Sequence, residues 1–215
     1  MARLVFDLDG TLIDSAPDIR GIANALMDQA GARPLSLSET RRFMGEGVAI
    51  FVERMIRTRD LDPSLQAGME ADFLARYETA VDLTHPYPGV RETLLALAAA
   101  GHQLGLCTNK PEAAARAILR HLGLADLFES VIGGDTIDCR KPNPAPLRAA
   151  FDRLQGTAPL IYIGDSETDA ETALRADVPF LLFTEGYRKG RGGLSCNAAF
   201  SDYAQLPELV TGFLH

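Results

Sequence analysis

The chain has 215 residues, 47% of them hydrophobic, which suits one large domain, or one domain carrying a smaller insert, around a substantial core. Its formal net charge of −8 speaks against a nucleic-acid surface, and no apolar run approaches the roughly 20 residues needed to cross a bilayer. Three cysteines without a close pair give neither a zinc framework nor a disulfide pattern, and the four scattered histidines receive no role.

The stretch "LVFDLDGTLIDS", Leu4 to Ser15, reads as a buried strand that finishes in two aspartates and a glycine. Because Met1-Ala2-Arg3 leads straight into it, there is no room for a signal peptide and a cytoplasmic protein is expected. From Ala16 to about Leu83 there is no strand signal. "PDIRGIANALMDQAG" sets Ile19, Ile22, Ala23, Leu26 and Met27 at helical spacing, with Gly31 as the stop. "SETRRFM" and "VAIFVERMIRT" are further helices, broken by "GEG" at Gly45 to Gly47, and "PSLQAGMEADFLARYETAVDL" is a fourth with proline in its first turn. "THPYPGV", with Pro86, Pro88 and Gly89, marks a boundary.

Beyond Pro88, helices and strands alternate. Helix "VRETLLALAAAG" precedes strand "QLGLCT", and helix "PEAAARAILRHLG" precedes a short strand near "SVIGG". Then come helix "APLRAAFDRLQG", strand "LIYIG", helix "ETDAETALRAD" and strand "PFLLFT". Near-continuous apolar strands separated by helices imply a parallel sheet covered on both faces, with the first strand as a member. The expected fold is α/β: a doubly wound, Rossmann-like core (residues 1–15 plus 86–215) with residues 16–85 inserted as a helical domain. "GYRKGRGG", Gly186 to Gly193, is a basic, glycine-rich loop expected to be mobile.

In an open α/β sheet, ligands bind beyond the carboxyl ends of the strands. Asp7, Asp9 and Thr11 follow the first strand. Thr108 and Asn109, then Lys110, follow "LGLC", and Asp165 follows "LIYIG", with Asp169 further on. Lys141 stands just before a proline-led helix. Each group suits phosphate or a hard metal, although Thr108 before "NKPEAAA" reads equally well as a helix cap. Residues two apart in an extended chain point the same way, so Asp7 and Asp9 are able to face one centre, and Gly10 lets the chain turn after them. Asp165 and Asp169 are four apart at a helix start, on one face. Up to four carboxylates in one place repel, so the cluster makes electrostatic sense with a cation bound, and carboxylates plus waters and phosphate are the usual Mg²⁺ arrangement.

With these residues in hand, the chain resembles the haloacid dehalogenase superfamily of phosphatases. "DLDGTLID" is similar to its first motif, Thr108 to its second, Lys141-Pro142 to its third and "GDSETD" to its fourth, while the helical insert is similar to its small cap domain. Within that superfamily, "DLDGTLIDSAPDI", "GGDT…RKPNPAPL" and "TEGY" look most like bacterial phosphoglycolate phosphatases. The resemblance implies that Asp7 attacks phosphorus to form an aspartyl-phosphate and that Asp9 carries the proton to and from the departing and attacking oxygens. It implies Mg²⁺ on Asp7, Asp165 and the backbone carbonyl of Asp9. Thr108, Lys141 and neighbouring groups, Asn109 among them, would hold the other phosphate oxygens. Asp169 would act through a metal-bound water or by orienting Lys141.

The expected partner is a small phosphorylated substrate, with no nucleic acid and no membrane, and the assembly a monomer or homodimer. A receiver domain, which is a non-enzymatic phospho-acceptor, lacks the helical insert and the acid two residues after its aspartate. A dehalogenase has no need of Asp9. Other sugar-phosphate phosphatases, pyrophosphatases and a phosphoglucomutase-like transferase share the Asp7/Asp9 chemistry. Substrate choice is expected from Arg41 or Arg42 and the amides around Gly45 and Gly47, with a solvated helix face as the competing reading of the arginines. Asp14 and Ser15 read as the approach to a helix start, Ser15 as its cap.

Overall fold

The computed structural model describes residues 1–190 and 193–214; Arg191 and Gly192 of the basic loop, and His215, lie outside the described residues. Strand β1 is Arg3–Phe6 and β2 is the two-residue Ile13–Asp14. Four helices follow: α1 (Ala16–Gln29), α2 (Leu37–Phe43), α3 (Val48–Thr58) and α4 (Gln66–Tyr77). The remainder runs β3 (His85–Pro86), α5 (Val90–Ala99), β4 (Gln103–Cys107), α6 (Glu112–His121), β5 (Ser130–Ile132) and α7 (Ala145–Asp152). It ends with β6 (Leu160–Gly164), α8 (Glu167–Ala176), β7 (Phe180–Phe183), β8 (Ala198–Phe200) and α9 (Leu206–Gly212).

Six strands form one sheet in the order β5-β4-β1-β6-β7-β8, and every neighbouring pair is parallel. Side chains alternate across it. Leu4, Phe6, Leu104, Leu106, Ile161, Ile163, Leu181 and Phe183 face α5, α6 and α9. Val5, Cys107, Tyr162, Phe180 and Leu182 face α7 and α8. The first strand is therefore central, flanked by β4 and β6, and the chain leaves it in both directions. That reversal is the switch point at which open α/β sheets place their ligands.

The helices α1 to α4 enclose an apolar cluster of their own, in which Phe51 stacks on Phe43 and Phe73, and Phe73 on Tyr77. Ser36 and Glu39 make a capping box at the start of α2, and Glu39 also pairs with the Arg59 guanidinium at 3.0 Å. The two segments that join this layer to the sheet pair with each other: β2 runs antiparallel to β3, Ile13 opposite Pro86 and Asp14 opposite His85.

The elements differ from the sequence expectation in several places, the short β2–β3 pair among them. The fourth helix is shorter at both ends, since Pro63–Leu65 forms a separate 3₁₀ turn and the helix stops at Tyr77. Strand β8 and helix α9 carry no clear sequence signal. "AAF" has little β-propensity and lies at the sheet edge, and α9 is only seven residues long. Their Phe200, Leu206 and Val210 nevertheless complete one face of the core.

Candidate active site

The polypeptide beyond β1 continues the ladder for one residue, as Asp7 N donates to Ile163 O at 2.8 Å, and then turns. Gly10 makes that turn at φ +91°, where a β-carbon would come within 2.5 Å of Asp165 Oδ2. Asp7 is thereby buried at the strand end, and Asp9 lies partly open on the side facing α1 to α4. Its Oδ1 accepts from Ser15 Oγ, so this hydroxyl serves Asp9 and does not cap α1.

Lys141 is the hub of the buried charges. Its Nζ lies 2.8 Å from Asp7 Oδ1, 2.7 Å from Asp169 Oδ1 and 2.9 Å from the Tyr162 hydroxyl. Asp169 also accepts from Tyr162 OH at 2.7 Å, and its other oxygen takes Ser166 Oγ at 2.6 Å and Ser166 N at 3.1 Å. The carboxylate thus caps α8 with one oxygen and anchors the lysine with the other. Asp165 accepts from Thr11 Oγ1 at 2.7 Å and from Tyr187 N at 2.6 Å.

One oxygen from each of Asp7, Asp165 and Asp169 lies within 4.8 Å of the others, all three residues buried. Three carboxylates against the one lysine that touches them leave an excess of two negative charges. Burial pushes the Asp7 carboxyl up to about 7, against the pull of Lys141 and with the Asp169 charge adding to the rise. Burial also drives Asp165 well above the carboxylate range, reinforced by the charges of Asp169 and Asp7. Burial works the same way on Asp169 but is overcome by the Lys141 charge and by hydrogen bonds from Lys141, Ser166 and Tyr162, which hold it low. Asp7 Oδ1 is buried, and although close to Lys141 it makes no aligned hydrogen bond. A divalent cation on Asp7 and Asp165 fits all of this, because it takes hard oxygen ligands and cancels the surplus charge. Among the described residues, Asp169 is the member already committed to Lys141, Tyr162 and Ser166.

Thr108 follows β4 and is buried, with its backbone N donating to Ile132 O at 3.0 Å. Helix α6 begins at Glu112 behind Pro111, so the Thr108 hydroxyl is not its cap. It accepts instead from Lys110 N at 3.2 Å. The Asn109 side chain is wholly engaged, donating to Gly45 O and Lys141 O and accepting from Lys141 N. Any phosphate contact from Asn109 must therefore come from its backbone.

A cavity opens between this strand edge and the helical layer. Its floor is Asp7, Asp9, Thr108, Asn109 and Lys141, and its roof is Gly45, Gly47 and an apolar wall that includes Ile19, Phe51 and Phe73. Arg41 and Arg42 are not in it. Arg41 pairs with Asp14 at 2.6 Å against the Tyr187 ring, and Arg42 is exposed over Phe43. Asp14 is fastened too, accepting from the Tyr187 hydroxyl at 2.6 Å. The cation that reaches the cavity besides Lys141 is Lys110, buried, 3.3 Å from Asp9 Oδ1 and 4.0 Å above the Tyr77 ring. The sequence places Lys110 at this strand end, two residues after Thr108, but assigns it no specific role. Tyr162 and Tyr187 were missed, since their hydroxyls meet partners that are distant in the chain.

The sequence model of the haloacid dehalogenase-like hydrolase family matches residues 4–183, which include Asp7, Asp9, Thr108, Lys141, Asp165 and Asp169. The chain belongs to that family. It is 44% identical over 218 aligned positions to a phosphoglycolate phosphatase of Cereibacter sphaeroides (strain ATCC 17025), covering 100% of both chains. It is 43% identical to a phosphoglycolate phosphatase of Rhodobacter capsulatus, over 98% of this chain and 97% of the relative. A crystal structure from Haemophilus somnus 129pt, described as a predicted phosphoglycolate phosphatase, superposes with a TM-score of 0.89 at 26% identity and covers 98% of each chain. Like other members of its family, the protein has an α/β core with a parallel sheet. Among the described residues, no helix is long and apolar enough to cross a membrane.

Proposed function

We propose that the protein hydrolyses a small phosphomonoester, 2-phosphoglycolate, through an aspartyl-phosphate on Asp7. The observation that carries the reading is the pairing of Asp7 with Lys141 at 2.8 Å and of Asp9 with the cavity side of the same strand end. One carboxylate is held for attack and the other faces the departing group. The full-length likeness to enzymes named phosphoglycolate phosphatase supports the substrate.

In the first step an Asp7 oxygen bonds to phosphorus as the bond from phosphorus to the ester oxygen breaks, and Asp9 gives that oxygen its proton. In the second, Asp9 takes a proton from water as the water oxygen bonds to phosphorus. The Asp7 oxygen is released as a carboxylate, and inorganic phosphate leaves. Lys141, Thr108 and the backbone amides beyond β4 hold the phosphoryl oxygens. Asp7, Asp165 and the Asp9 carbonyl would hold Mg²⁺, which would supply neutralisation of the phosphoryl charge. Residues 16–85 act as a cap that closes over the leaving group, hinged at the β2–β3 pair, and exclude bulk water.

A hydrolysis screen of phosphomonoesters with Mg²⁺ present tests this reading. Phosphoglycolate should exceed ethyl phosphate in kcat/KM by about 10² or more, on the scale of one lost charged hydrogen-bonding group. A preference for a hexose phosphate, or equal values for the two small esters, would reject the substrate and leave the phosphatase chemistry standing.

A further inference from the structure

We infer that Lys110 is the residue that binds a carboxylate on the leaving group, and so sets the preference for phosphoglycolate; the inference rests on the phosphatase reading above. The ester oxygen of such a substrate must lie beside Asp9, which protonates it. In phosphoglycolate a single methylene separates that oxygen from the carboxylate carbon. Whatever pairs with the carboxylate must therefore stand next to Asp9, on the cavity side. Lys110 Nζ stands 3.3 Å from Asp9 Oδ1, inside the cavity.

Its competitors are excluded by what they already hold. Lys141 donates to Asp169 and Tyr162 and stands 2.8 Å from Asp7 Oδ1, so its remaining charge is directed to the phosphoryl side of the site. Arg41 is bound to Asp14, and Arg42 lies exposed over Phe43. On the side of the helical layer the cavity is apolar, lined by Ile19, Met44, Val48 and Phe51. A lysine buried there loses its hydration, and that cost is offset only by anions brought to it. Its contact with Asp9 is long for a charge-assisted hydrogen bond, and three ammonium hydrogens exceed what one carboxylate oxygen and one aromatic face engage. Lys110 lines the same cavity that the leaving group must fill.

Lys110→Met tests the assignment, with Lys110→Gln as a second variant of similar reach should the first fail to fold. The readout is the ratio of kcat/KM for phosphoglycolate to that for ethyl phosphate. Both esters need the same proton from Asp9, so the ratio cancels any effect of the substitution on Asp9. The ratio is expected to fall by about 100-fold, the scale of one lost charged hydrogen-bonding group, with KM for phosphoglycolate rising. An unchanged ratio, with both esters losing the same factor or neither losing any, overturns the role of Lys110 while the wild-type preference keeps the substrate reading intact. A wild-type enzyme with no preference between the two esters defeats the substrate reading first and the Lys110 assignment with it.

Discussion

Asn109 donates its side-chain amide to the Gly45 carbonyl at 3.0 Å, tying the loop beyond β4 to the loop that roofs the cavity. The same side chain brackets the backbone of Lys141, donating to its carbonyl at 3.0 Å and accepting from its amide at 2.9 Å. Two of the elements that must converge on a phosphate, the roof loop and the lysine, are registered by one amide.

Asn109→Ala strips partners from three backbone groups at once. A cost of about 1–3 kcal/mol is expected, or about 2–4 °C in Tm per kcal/mol for a chain of this size. Loosening of Lys141 and of the roof should also lower kcat/KM by at least about 10-fold. Differential scanning calorimetry and steady-state kinetics on the purified variant check both parts. A variant that keeps its Tm and its kinetics would show that the clamp contributes nothing.

Asp7→Asn is expected to abolish turnover and leave the fold intact, because an amide is a poor nucleophile and the site loses a ligand oxygen. Asp9→Asn should damage hydrolysis of alkyl phosphates severely and spare p-nitrophenyl phosphate, whose leaving group needs little protonation. Single-turnover rates of protein phosphorylation separate the two. Equal slowing for good and poor leaving groups would remove Asp9 from the role of acid.

Much of this site was legible because it follows a rule of the sheet. Asp7, Thr108 and Asp165 each stand directly after an apolar strand run, and parallel strands bring such ends together whatever their separation in the chain. The helical layer was legible from periodicity, since Ile19, Ile22, Leu26 and Met27 repeat at helical spacing. What the sequence hid are contacts with no local signature. Tyr162 reads as one more apolar strand residue, but its hydroxyl meets Lys141 and Asp169. Arg41 and Arg42 looked available because charge is visible in a sequence and the partner that occupies it, here Asp14, is not. Lys110 received no specific role because burial under a helical layer that folds back from elsewhere in the chain leaves no trace in its neighbours.

Gly10→Ala should be far more harmful than an exposed glycine substitution. The positive φ is unfavourable for alanine, and the new β-carbon would strike Asp165 Oδ2. Both the turn after Asp9 and the Asp165 carboxylate must shift. Loss of soluble folded protein, or of the thermal shift produced by Mg²⁺, is the expected result. Wild-type stability together with a wild-type Mg²⁺ response would refute this account of the turn.

The acidic cluster ties stability to pH in a direction that a metal reverses. Asp7 and Asp165 have folded-state pKa values above the ordinary 3.8, that of Asp7 about 7. A carboxyl raised in this way favours the folded state when protonated. Its contribution is full below the unfolded pKa and is lost as pH rises through the folded one, between about 4 and 7 for Asp7. Asp169, held low, has the opposite sign, but its contribution is complete above its unfolded value and drops out only in stronger acid. Metal-free protein should therefore lose stability from these groups between pH 5 and pH 8. If the ionised cluster of the native state alone holds Mg²⁺, as proposed, the metal should raise Tm more at pH 8 than at pH 5. Asp165→Asn removes one ligand and one of the repelling charges together, and both the metal shift and its pH dependence should shrink. Melting curves with Mg²⁺ and with chelator at the two pH values decide the matter. An equal Mg²⁺ shift at both would mean that the cluster is already ionised at pH 5 without metal, against the raised carboxyls of Asp7 and Asp165.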